Sequence, residues 1–297
     1  MNLNRRNFLA LGAGAFAAEA FGGLADIGSG AADAHVLKVE PLEIDLGLGK
    51  AFKALHLSDT HLNFFDAVDL AAAEPPVKER LRARWAALPQ AAQSFLASLD
   101  YAKSRGLPLL HTGDLIDCVT EGNERVLAHT LDGLDLQFAF GNHEYLARGP
   151  KGPGQDAASL RRRLQRFFRN DLAVSSRILG GANFVSFDNA RVKLDAGTIA
   201  RVRAEFEKPH PIVLLCHIPP FYTAKFLEKA SPNTKNVWNS YDQATKDFYT
   251  WIQARPQLKA ILCGHLHRAE SDGFSETAQM YVAGANYAGY AYEITFK

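Results

Sequence analysis

Apolar positions fall into short runs along the chain, and several of these runs end in a cluster of polar residues. Ala51 to Ser58 leads into Asp59-Thr60-His61, and Leu107 to Leu110 leads into His111-Thr112-Gly113-Asp114. Leu136 to Phe140 meets Gly141-Asn142-His143-Glu144, Ile212 to Cys216 stops at His217, and Lys259 to Cys263 meets Gly264-His265-Leu266-His267. Runs of this length read as buried strands, and ligands of open α/β sheets bind where such strands end. Between the runs the period changes. Ala92, Phe95, Leu96, Leu99 and Ala102 follow helical spacing over 91–105, with Gly106 as the C-cap. Further helices are expected over 160–169, 198–208 and 242–254. Asn183 to Phe187 and Arg191 to Leu194 read as a hairpin across Asp188-Asn189, and 279–283 and 290–296 read as closing strands. Strand–helix alternation early and clustered strands later predict an α/β chain of two packed sheets flanked by helices.

Three stretches break this rhythm. Residues 63–90, with Pro75, Pro76 and Pro89 around a helical pattern from Val77 to Ala87, read as an insertion over one face. The Gly- and Pro-rich 145–156 reads as a loop, and the aromatic and polar 221–240 as a rim over the strand ends. The first 34 residues read as a leader rather than as part of the fold, leaving 35–297 as a single domain. Arg5 and Arg6 precede an Ala/Gly/Leu/Phe-rich stretch, and Ala32-Asp33-Ala34 offers a small-x-small cleavage site. Asn4-Arg5-Arg6-Asn7-Phe8-Leu9 resembles a twin-arginine signal, which implies the twin-arginine export machinery as a partner and a periplasmic or exported location. The stretch is interrupted by Glu19 and short for a membrane span, so no stable span is expected in the mature protein.

A net charge of +1 lacks the basic track that long nucleic acids require. Three cysteines, 118, 216 and 263, cannot form a full disulfide framework, and Cys216 and Cys263 read as buried thiols.

Collected in order, the strand-end residues are Asp59, His61, Asp114, Asn142, His143, His217, His265 and His267. Carboxylate, imidazole and amide oxygen together suit a borderline-hard metal ion. A carboxylate such as Asp114 can bridge two ions about 3.5–4 Å apart, the spacing of two-metal hydrolysis. His56 and His111 lie inside strands and read as core residues, while His35, His129 and His210 have no comparable context.

Asp59-x-His61, Gly113-Asp114-x-x-Asp117, Gly141-Asn142-His143-Glu144, His217 and Gly264-His265-x-His267 resemble the signature of the calcineurin-like metallophosphoesterases, from about residue 52 to 268. The resemblance implies a four-layer αββα sandwich of two mixed sheets, with a binuclear centre of manganese, iron or zinc at the strand ends. Asp59, His61 and His267 would hold one ion, Asn142, His217 and His265 the other, and Asp114 both. The reaction implied is hydrolysis of a small phosphate monoester or diester by a hydroxide bridging the ions. His143 would stabilise charge or protonate the leaving group, oriented by Asp117. Purple acid phosphatases carry a tyrosine where this chain has Asp117. Protein phosphatases carry arginines where it has Cys118 and Phe140. Both departures point to the bacterial phosphodiesterase and small-phosphatase branches. Arg148 and the arginines of 161–169 are candidate phosphate contacts. The competing readings are a non-catalytic binding scaffold of the same fold, and a nuclease or pyrophosphatase. Oligomeric state has no sequence signal.

Overall fold

The computed structural model describes residues 37–147, 156–220 and 240–297. The leader, Arg148 and the rim over 221–239 therefore lie outside the described residues. Five strands form one sheet in the order β1 (Lys38–Ile44), β11 (Tyr290–Phe296), β2 (Phe52–Leu57), β3 (Leu109–His111), β4 (Leu136–Phe138). Six form the other in the order β5 (Val174–Leu179), β6 (Ala182–Phe187), β7 (Ile212–Leu215), β8 (Leu258–Cys263), β10 (Gln279–Val282), β9 (Glu270–Gly273). Both are mixed. β2, β3 and β4 run parallel beside an antiparallel β11, while β6, β7, β8 and β10 run parallel between antiparallel edges β5 and β9.

Side chains alternate across each strand, and the central strands β6, β7 and β8 are mostly apolar because both their faces are covered. In β7, Val213 and Leu215 face the other sheet while Ile212 and Leu214 face helices. In β8, Ala260 and Leu262 point inward, and Ile261 and Cys263 outward. Between the sheets, Phe296 stacks on Phe52 at 5.1 Å and meets Phe184 edge-on at 5.0 Å. The first sheet's outer face packs on α3 (Ala91–Arg105), α4 (Glu121–Thr130) and α5 (Ala157–Gln165). The second packs on α6 (Ala196–Glu205) and α7 (Gln243–Gln253). The result is the four-layer αββα sandwich expected from the sequence. Within 63–90 lie helices α1 (Ala67–Ala72), which meets the start of α4 through Asp69, and α2 (Pro75–Ala87), which reaches the strand ends through Arg84.

One pairing differs from the expectation. β6 pairs backwards with β5, not forwards with 191–194, through Gly180 and Gly181 at φ +56° and +98°. Positive φ at both central residues matches the right-handed twist of the strands, which two glycines supply and Asp188-Asn189 does not. Residues 188–194 form an irregular turn instead. The arginine helix is mostly structural, since Arg163 reaches Glu121 and Glu124 and Arg166 reaches Glu124 on α4. Cys216, directly after β7, and Cys263, the last residue of β8, are free buried thiols 3.8 Å apart.

Candidate metal centre

The parallel strands of both sheets end at one point, and ladder-like bonding continues past them. Asp59 N donates to Gly113 O at 3.0 Å, His61 N to Asp114 O at 2.9 Å, and Gly264 N to His217 O at 3.0 Å. Each loop then turns sharply at its functional residue. Among the described residues six non-glycine residues have positive φ, and five of them are Asp59, His61, Asp114, His265 and His267. Left-handed backbone at such residues costs of order 1–3 kcal/mol each, and clusters where surrounding structure imposes it for a site. In Asp59-Thr60-His61 and His265-Leu266-His267 the alternate left-handed residues bring both flanking side chains to the same place. Close approach of the sheets completes the site. A Cβ on Gly264 would lie 1.8 Å from Ser58 Oγ and 2.4 Å from Asp59 Oδ2, so no larger residue fits there.

Two donor sets result. Donor atoms of Asp59, His61, Asp114 and His267 lie within 4.8 Å of one another. His61 Nε2 is 3.1 Å from His267 Nε2, and Asp59 Oδ1 is 3.3 Å from His267 Nε2. In the second set, Asn142 Oδ1 is 3.0 Å from both His217 Nε2 and His265 Nδ1, which are 3.3 Å from each other. Asp114 Oδ2 stands 3.6 Å from His61 Nε2 and 3.2 Å from His217 Nε2, and so belongs to both. The structure thus brings together every metal-ligand residue read from the sequence. His56 and His111 lie apart from these sets in the core, bonded to Thr112 and Thr60 hydroxyls.

The electrostatics fit cations. Asp59 and Asp114 are buried, and among the described residues neither pairs with a lysine or arginine. Burial alone would raise their pKa values, but the surrounding imidazoles reverse this, holding Asp59 at about 2 and Asp114 well below the usual range. Burial likewise opposes charge on His217, yet Asp114, Asp59 and the bond to Thr112 O lift it to about 10. Burial and the neighbouring His217 charge push His265 down to about 4, and burial lowers His61. Ring nitrogens facing each other at 3.1 and 3.3 Å beside buried carboxylates form a donor set that a metal ion would satisfy. Oxygen and imidazole donors of this kind suit manganese, iron or zinc.

Supporting contacts hold the ligands in place. His61 Nδ1 is 3.2 Å from Asp117 Oδ1, and His217 Nδ1 donates to Thr112 O at 2.8 Å. His143 Nδ1 lies 2.8 Å from Asp117 O and 3.2 Å from its Oδ1, leaving Nε2 facing Asp114 Oδ2 at 4.0 Å. Burial disfavours charge on His143, but Asp117 and Asp114 outweigh this and raise it to about 9.

Three contributors were not singled out by sequence reasoning. The buried Glu144 accepts from Asp114 N and Gly141 N through Oε2 and from Ile116 N through Oε1, joining the β3 and β4 loops. Its place in Gly-Asn-His-Glu was the available signal. Arg84, on α2, grips Asp117 through Nε at 3.1 Å and Nη2 at 2.5 Å. Tyr287 has its hydroxyl 3.3 Å from His267 Nδ1 and its ring 5.7 Å from that of His61. Nothing in the spacing announces either residue.

A family model described as calcineurin-like phosphoesterase matches residues 52–269. No curated protein matches the chain by sequence. Among solved structures, a dimetal phosphatase from Danio rerio superposes with a TM-score of 0.51 at 13% identity, covering 80% of this chain and 88% of the other. At that identity it speaks for the fold alone. Two weaker superpositions carry no argument. One is a phosphopantetheinyl hydrolase from Mycobacterium tuberculosis, at TM-score 0.44 and 14% identity over 84% of this chain and 92% of the other. The second is a 5′-nucleotidase from Candida albicans, at 0.42 and 14% over 84% of this chain, which spans only 48% of that protein.

Proposed function

The chain belongs to the calcineurin-like phosphoesterase family, and from that membership we propose an exported dimetal hydrolase of small phosphate monoesters or diesters. The observation that carries this reading is the pair of donor sets sharing Asp114. Asp59, His61 and His267 would hold one ion, Asn142, His217 and His265 the other, and Asp114 would serve both. Bound there, the ions supply Lewis acidity that polarises a phosphoryl oxygen and acidifies water.

The remaining chemistry belongs to the chain. Asp117 accepts from His61 and His143 and is itself gripped by Arg84, so both imidazoles keep their orientation. With Nδ1 anchored, His143 presents Nε2 to the partly open side of the cluster, where it gives a proton to the departing oxygen or steadies charge on the phosphoryl group.

Full-length chain loaded with manganese is expected to hydrolyse p-nitrophenyl phosphate or bis-p-nitrophenyl phosphate, to lose that activity to a chelator, and to regain it when manganese is restored. Preference for the diester marks a phosphodiesterase, and preference for the monoester a phosphatase. Stoichiometric manganese with turnover of neither would discard the enzyme reading in favour of a binding scaffold.

Export rests on Asn4-Arg5-Arg6-Asn7-Phe8-Leu9. Arg5→Lys with Arg6→Lys is expected to leave the precursor inside producing cells, as cell fractionation would read. Unimpaired export of that variant would remove the twin-arginine route. Among the described residues no helix is long and apolar enough to cross a membrane.

A further inference from the structure

A second cluster of charge lies on elements that brace the metal donors and is not absorbed by them. A cavity of about 240 Å³ is lined by Tyr145, Arg161, Asp188, Arg191, Lys193 and Asp195. Its walls are tied to the second donor set on two sides. Tyr145 closes the short 3-10 turn that opens with His143, and its hydroxyl donates to Asp188. The next residue, Asn189, accepts from His217 N and Ile218 N at 3.0 Å through Oδ1 and donates to Ile218 O at 2.6 Å. The 188–194 turn is thereby clamped to the loop that carries His217, and through Tyr145 to the turn that carries Asn142.

The charges in this cavity are unequally spent. Asp188 is buried and satisfied by Tyr145, by Ala190 N at 3.1 Å and by Arg161 Nη1 at 3.0 Å. Asp195 caps α6, accepting from Thr198 N and Oγ1 at 2.8 and 3.0 Å. Arg191 and Lys193 are exposed, and among the described residues neither makes an ion pair within 4.0 Å. Lys193 acts on Asp242 only at longer range, and Arg191 sits 6.0 Å from the Tyr145 ring. Between the two cations lies Val192 at φ +73°, the sixth non-glycine residue with positive φ and the one outside the metal donors. For a β-branched side chain this is a true outlier, held by the Val192 N to Asn189 O bond at 2.9 Å and the Leu194 N to Thr245 Oγ1 bond at 2.9 Å.

We propose that this cavity is an anion subsite, in which Arg191 and Lys193 receive a second phosphate borne by the substrate away from the scissile phosphorus. The assignment rests on the phosphoesterase reading, because the turn that carries both cations is bonded through Asn189 to the backbone of His217, and Tyr145 N is bonded to Asn142 O, so the cavity wall and the second donor set share their supports. Two flexible cations beside one carboxylate paired with Arg161 and another engaged as a helix cap leave the cavity an excess of positive charge that favours an anion, and an exposed turn admits it without reorganising the core.

The test compares a nucleoside 3′,5′-bisphosphate with the matching 5′-monophosphate on manganese-loaded full-length chain, wild type and Arg191→Ala/Lys193→Ala. The wild type is expected to favour the bisphosphate through a lower KM. In the double variant the ratio of kcat/KM values should fall about tenfold, about 1.4 kcal/mol for the two solvent-exposed contacts together. An unchanged ratio overturns the subsite while leaving the phosphoesterase reading intact. If neither nucleotide is hydrolysed, the monoester arm of the phosphoesterase reading is what fails, and calorimetric titration of chelator-treated chain with inorganic phosphate decides the subsite separately. Binding about tenfold weaker in the double variant supports it, and equal binding in both proteins overturns it.

Discussion

Asp114→Asn is expected to lower hydrolysis by at least about a thousandfold, equivalent to about 4 kcal/mol of transition-state stabilisation. It should also take bound manganese from two ions per chain towards one. The reason is positional. Asp114 Oδ2 is the carboxylate oxygen within reach of both His61 Nε2 and His217 Nε2, at 3.6 and 3.2 Å, so its charge serves both donor sets. An asparagine of the same shape can still accept from His143 N, the 2.9 Å bond that Asp114 Oδ1 makes, and so the loop should hold. What it removes is the anion, and it turns an amide N–H or a neutral oxygen towards imidazoles placed around a negative group. Elemental analysis of the purified variant beside its steady-state kinetics reads both effects. Full metal content with full activity would show that the two sets are not joined through this residue.

Much of this was legible before any coordinates because ligand loops at strand ends carry short, local motifs. The αββα layers followed from apolar runs of strand length alternating with a helical period, and β7 and β8, apolar on both faces, were the clearest. β5 was not legible. Its Val-Ser-Ser-Arg-Ile-Leu lies at a sheet edge with only Val174 fully buried, so composition there reports solvent more than pairing. Missing β5 sent β6 forward to a false partner at 191–194, and the left-handed glycines at 180–181 were the overlooked signal. β1 and β9 were missed for the same reason, with polar positions alternating along exposed edges.

The site divides along the same line. Residues contributed by a motif were found, and those contributed by distant packing were not. Arg84 reaches Asp117 from a helix that the sequence places in an insertion with no tie to the site, and Tyr287 arrives on the turn before β11. Both act through histidines at the first donor set, and neither has a spacing rule that ties it to them. Glu144 shows the intermediate case. It stood inside a recognised motif, but its work, bonding to the backbone of Asp114, Ile116 and Gly141, depends on a loop thirty residues earlier folding against it. Orienting contacts are set by tertiary approach, and tertiary approach is what a single sequence encodes least locally.

His143→Asn separates binding of the ions from use of them. It is expected to reduce kcat by about 10²–10⁴-fold, the range for loss of a positioned proton donor, while manganese content stays at the wild-type level. Retention of metal is expected because His143 Nδ1 is engaged by Asp117 and its Nε2 lies 4.0 Å from Asp114 Oδ2, farther than the nitrogens of His61 and His217. The two roles open to it predict different leaving-group behaviour. As the proton donor to the departing oxygen, its loss should harm phenyl phosphate, whose leaving group needs the proton, far more than p-nitrophenyl phosphate. As a group that steadies charge on the phosphoryl oxygens, its loss should harm both alike. Metal lost together with activity would contradict both roles and make His143 part of the ion-binding set. Wild-type kcat on both esters would remove it from the reaction altogether.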